Sequence, residues 1–170
     1  MIRKVLLLII VSFLSCTKDA PTLFRIEAEA AFVIAPGLDN IRTHIWPLRN
    51  IRTNIGTLAS ESTRELVDGI YANTAVVQSP FVNFDFRQIN MASINIWDPQ
   101  NPEDKREVFF MDRQNNNRRE ELQLFSSLSE VKDILLNDTF DAEVKIRFLT
   151  FTPTEIESRL IMNFVANGKR

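Results

Sequence analysis

The chain has 170 residues, 20 of them basic and 22 acidic, for a net charge of −2. That balance argues against a nucleic-acid partner, which requires clustered positive charge, and against attachment to an anionic bilayer through basic side chains. Four glycines leave no room for a glycine-rich phosphate cradle, and one histidine with one cysteine cannot furnish a zinc site.

The chain opens with MIRKVLLLIIVSFLSC, Met1 to Cys16. Arg3 and Lys4 precede an apolar run from Val5 to Leu14, broken only by Ser12, and the small Ser15 comes just before Cys16. A charged start, an apolar stretch and a small-residue junction are the parts of a secretory signal. The run is about ten residues long, roughly half of what a helix needs to cross a bilayer. The sequence FLSC at positions 13–16 resembles the lipobox of bacterial lipoproteins, with Phe13 where that family usually carries Leu. The resemblance implies cleavage before Cys16, a diacylglyceryl group on its thiol and acylation of the new amino group. Cys16 is the sole cysteine, so no intrachain disulfide can form, and a lipid cap accounts for a lone thiol in an oxidising compartment. Each buried CH₂ contributes about 0.8 kcal/mol, and two acyl chains make a stable anchor.

Thr17, rather than Asp, follows the cysteine, and by the same resemblance this favours the outer membrane. Lys18 and Asp19 resemble a shortened form of the export tag of Bacteroidota-type surface lipoproteins, which leaves the periplasmic face and the cell surface both open. The expected organisation is a signal peptide at 1–15, a lipidated end and tether at 16–22, and a single β-sandwich domain at 23–170. The tether reaches at most about 20 Å, so the folded body starts close to the bilayer. Loss of Arg3 and Lys4 with the leader takes the net charge from −2 to −4.

Phe24 to Ile34 alternates apolar and polar residues, the period of a half-buried strand. Ala35 to Asn40 has the Pro, Gly and Asn content of a turn. Ile41 to Ile51 predicts a second strand, which Pro47 pushes toward a sheet edge or bulge. Between Gly56 and Tyr71 the spacing of Leu58, Leu66, Val67, Ile70 and Tyr71 predicts a short helix, with Ser62 and Glu65 as a capping box. Ala75 to Phe86 predicts a strand interrupted by Pro80. Ile89 to Trp97 is apolar on both sides, as in a doubly covered strand. A loop follows at Asp98 to Asp104, then short strands at Glu107–Met111 and Leu122–Phe125, separated by the polar loop Asp112 to Glu121. Ser127 to Leu136 has helical spacing, with Ser127 and Glu130 as a second capping box.

Phe140 to Phe148 alternates most clearly. Asp141, Glu143, Lys145 and Arg147 are expected to face water, and Glu157 to Ala166 is expected to run back against it as a hairpin. Thirteen phenylalanines supply a large apolar payload for the core. Together these elements predict a mainly β protein, an antiparallel β-sandwich of immunoglobulin-like architecture with one or two short helical inserts.

Catalytic groups are scarce. His44 lies inside a predicted strand, with no nucleophile-elbow pattern anywhere, and is expected to pack or hydrogen-bond. Asp98, Glu103 and Asp104 share a loop, and Asn137, Asp138 and Asp141 gather at a corner. Such oxygen-rich loops can hold calcium, but neither has EF-hand spacing, and Asp and Asn populate turns for backbone reasons. No metal, cofactor or catalytic residue is assigned. Trp46 directly precedes Pro47 and Trp97 lies two residues before Pro99; these are the candidate ligand-binding aromatics, weighed against burial between the sheets. The polar loop Arg113 to Glu121 is a further contact surface, weighed against a solvated loop.

The expectation is a membrane-anchored envelope lipoprotein acting as a non-catalytic binding or scaffolding module for protein or glycan. The alternatives are an envelope polysaccharide hydrolase using carboxylates and a structural subunit of a surface adhesin or pilus-like assembly.

Overall fold

A computed structural model describes residues 20–81, 84–112 and 118–169. Among these residues eight strands form: β1 (Thr22–Ile34), β2 (His44–Arg52), β3 (Val67–Gln78), β4 (Ile89–Trp97), β5 (Arg106–Asp112), β6 (Glu121–Ser126), β7 (Thr139–Phe148) and β8 (Ile156–Gly168). Short helices interrupt them at α1 (Ile55–Leu58), α2 (Glu61–Glu65) and α3 (Lys132–Leu135). Every strand pairing is antiparallel, and the spatial order is β1-β8-β3-β6-β5-β4-β7-β2.

That single sheet folds over on itself. Among the described residues Phe109 pairs with Ser126 and Phe110 with Phe125 between β5 and β6, and the strand order divides there into two layers of four strands. The layers face each other across an apolar interior. Phe164 of β8 meets Phe109 of β5 at 5.5 Å and Phe140 of β7 at 6.4 Å between ring centroids, which puts all three at the middle of the sandwich. The expected layered antiparallel architecture is present, and its connections are those of two Greek keys, a jelly-roll order. Period-two alternation made this legible. Ile26, Ala28, Phe32 and Ile34 of β1 are buried, as are Leu160, Met162, Phe164 and Ala166 of β8.

Several local expectations change. β7 and β8 do not form a hairpin: β7 pairs with β2 and β4, β8 with β1 and β3, so the connection between them crosses from one layer to the other. Alternation assigns a strand its inner face but not its neighbour. The 56–71 stretch contains only α1 and α2, and Val67, Ile70 and Tyr71 belong to β3. Gly69 lets the Tyr71 ring lie against the backbone, where a Cβ would come within 2.7 Å of it. The cap of α2 is Ser60, whose Oγ accepts from Thr63 N, not Ser62. The 127–136 helix shrinks to α3, because Ser127 Oγ donates to Glu107 O and Glu130 Oε1 accepts from Ile70 N and Lys132 N. β3 ends at Gln78, before Pro80. β4 is central, but its outer face is covered only at the Trp97 end: a register shift between Ile89 and Met91 turns Ile89 inward beside Ala92, Ile94 and Ile96, while Met91 is exposed.

Candidate functional site

Outward-facing residues of β4 and β7 build a charged layer on one broad side of the sandwich. The register sets Asn95 opposite Glu143 and Trp97 opposite Asp141. Asp141 and Glu143 are buried rather than solvated, at 4 % and 8 % exposure. Their face is the expected one, but long neighbouring side chains roof it. Asp141 accepts from the Arg49 guanidinium and from Asn50 N at 2.9 Å. Glu143 accepts from Lys105 Nζ at 2.8 Å and Asn95 Nδ2 at 3.1 Å, and Lys145 Nζ lies 2.9 Å away.

Trp97 lies beneath this layer, 2 % exposed, with Lys105 Nζ 4.4 Å and the Arg49 guanidinium carbon 5.4 Å from its ring centre. Among the described residues its Nε1 and Asn95 Oδ1 make no hydrogen bond. Desolvation pushes the Glu143 carboxyl up, and the two lysines outweigh it, holding the group below its ordinary 4.5. Asp39 is held at about 2 by the Arg42 backbone N–H and guanidinium, against an opposing desolvation, and Asp85 at about 2 by the Arg87 guanidinium, likewise opposed. Carboxyls depressed in this way contribute stability that is complete above their unfolded values and lost as pH falls through the folded ones. Unfolding free energy is therefore expected to be level from neutrality to about pH 5 and to decline below it. Urea titrations at stepped pH check this, and Glu143→Gln should flatten part of the decline. An identical decline in that variant would remove Glu143 from the account.

The other sequence candidates disperse. Cys16 and the leader lie outside the described residues, as do positions 113–117 of the polar loop. His44 is wedged between Trp46 and Phe148, at 6.2 Å and 6.0 Å, and its Nε2 donates to Asp39 O at 2.9 Å, a packing role. Asp98 accepts from Gln100 N and Asn137 Nδ2, Asp104 is held by Arg106, and Arg106 also grips Asp133 with two bonds of 2.7 Å. Among the described residues no three His, Cys, Asp or Glu side chains are placed to hold a metal ion.

Trp46 marks a second feature that the sequence did not reveal. β1 and β2 stand at the two ends of the strand order and run beside each other, but among the described residues no backbone hydrogen bond joins them. Trp46 stitches one end of this seam: its Nε1 donates to Val33 O at 2.8 Å, and its ring meets Phe32 at 5.6 Å. The rest stays open because β2 cannot zip onto β1. Pro47 lacks an N–H, and the ladder to β7 slips between Leu48 and Ile51, with Asn50 left-handed at φ 54°.

The result is a cleft of about 740 Å³ between Glu27, Glu29 and Ala31 on one bank and Pro47, Arg49 and Arg52 on the other. A second hollow of about 630 Å³ shares Glu29 to Ala31 and continues over Val33 to Phe81 and Arg159. A groove thus follows β1 for most of its length. Its far end is apolar, with Phe81 78 % exposed. Only the strand order discloses it, since the two banks are neighbours in sequence that do not pair.

No family model matches the chain, and no curated protein does. Solved structures similar to it include viral chains. The Macrobrachium rosenbergii nodavirus P-domain is 10% identical, with 85% of this chain and 94% of that one aligned at a TM-score of 0.30. A nora virus chain is 12% identical over 85% of this chain and 58% of that one, at 0.32. A Triatoma virus chain is 11% identical over 93% and 71%, at 0.30.

Proposed function

We propose that the protein is a membrane-anchored envelope lipoprotein whose β-sandwich is a non-catalytic binding module, with the groove along β1 as its ligand site for protein or glycan. The observation that carries the binding role is the groove itself: two adjoining hollows, one charged and one apolar, on a sheet edge left unzipped. An apolar hollow with a few convergent polar groups is the common form of a binding site. The anchor rests on the lipobox resemblance at Cys16. Gly168 N donates to Pro21 O at 2.8 Å, tying the start of β1 to the body, so the groove runs away from the tether toward Phe81.

Cys16→Ser is expected to move the protein from the membrane fraction to the soluble fraction, read by fractionation and immunoblot. Mass spectrometry finding an unmodified thiol at the mature amino terminus would remove the anchor. For the binding role, the full-length protein is incubated with a panel of envelope polysaccharides and is expected to release no product. Turnover abolished by changing one Asp or Glu would replace this reading with that of a hydrolase.

A further inference from the structure

The free edge of β1 has a definite polarity. Its ladder with β8 runs without a break from Phe24 to Ile34, and Val33 O is already turned away from β8 to accept from Trp46. In an antiparallel strand alternate residues present N–H and C=O to the same edge. Glu27, Glu29 and Ala31 therefore aim their backbone groups into the cleft, where among the described residues no backbone partner meets them. An edge in this state is a template for another strand.

Side chains along the edge add selectivity. Glu29 is held by Arg159, whereas Glu27 is in no ion pair of the described residues. Four residues further on, the same outer face reaches the apolar hollow at Ala31 and Phe81.

Resting on the binding-module reading, we propose that the groove receives an extended polypeptide segment of a partner protein. The segment adds to β1 as a ninth strand, with a basic side chain over Glu27 and an apolar one, four residues away, against Phe81. Glu27 to Ala31 spans five residues, about 13 Å of strand at roughly 3.3 Å between successive residues.

The test uses full-length, isotope-labelled protein in detergent. The probes are acetylated seven-residue peptides of alternating Thr and Val, carrying Lys and Phe four residues apart in either order. Binding in one order is expected to slow amide exchange at Glu27, Glu29 and Ala31. N-methylation of the peptide edge facing β1 should abolish binding, and methylation of the opposite edge should not.

Ala31→Pro removes one edge donor without touching the ladder to β8 and should weaken binding about tenfold, the loss of one hydrogen bond. Glu27→Lys, which leaves the backbone alone, should transfer preference to a peptide with Glu in place of Lys. Peptides that bind without protecting those three amides, that still bind when methylated on the edge facing β1, or that do not bind at all overturn the proposal. Soluble envelope polysaccharides are titrated in parallel. If they shift resonances of residues 27–33 when no peptide does, strand addition falls and the binding module stands. If neither class perturbs the groove, both fall.

Discussion

Phe164→Ala is expected to destabilise the protein by about 3 to 5 kcal/mol, the range for removing a large aromatic from a close-packed interior. Phe164 is fully buried and is the ring through which β8 in one layer touches β5 and β7 in the other. Deleting it removes the lost apolar surface and also opens a space that three strands from opposite layers would have to shift to fill. They cannot easily do so, because each is fixed by its own ladder. For a chain of this size the midpoint of thermal unfolding should fall by about 10 °C or more. Phe125→Ala is the control: it is 44 % exposed and touches Phe110 on the outer face at 6.5 Å, so it should cost no more than about 1 kcal/mol. Equal losses in the two variants, measured by urea and thermal unfolding, would mean that the layers are not held together at this point.

The contrast between these two phenylalanines marks how much the sequence disclosed. The alternation of β1, β7 and β8 put the inner faces where they are, because a period of two has only one reading once one face is apolar. Pro47 in β2 told of an edge, and β2 is the last strand in the order. What was hidden is what lies at long range. The pattern of β7 turned Asp141 and Glu143 outward, correctly, but could not tell that Arg49 from β2 and Lys105 from the β4–β5 loop would converge over them and over Trp97 of β4. Val67 and Ile70 fit a helical spacing and a strand equally well over so few residues. The pairing of β8 with β1 and β3 decides the matter, and no local signal carries it. The groove was invisible for the same reason: it exists because two particular strands fail to pair.

Asp141 is where that long-range layer and the groove meet, and its replacement carries the second large effect. Asp141→Ala is expected to cost about 2 to 3 kcal/mol, because two bonds to a charged acceptor are lost and the Asn50 N–H is left with no partner. Arg49→Ala should cost less, about 1 kcal/mol at most, since the Arg49 side chain is 60% exposed and water can replace what it loses. The asymmetry follows from geometry: Asp141 fixes the backbone of the β2 bulge, whereas Arg49 only lies over it. Asp141→Asn keeps an acceptor for Asn50 N and should recover part of the loss. Because Asn50 lines the cleft, loosening this bond should also change the groove, and binding of the strand-forming peptides should weaken in Asp141→Ala more than in Arg49→Ala. Denaturant unfolding of the three variants checks the order, and an Arg49→Ala loss as large as that of Asp141→Ala would show that the ion pair, rather than the pinned bulge, is what the carboxylate supplies.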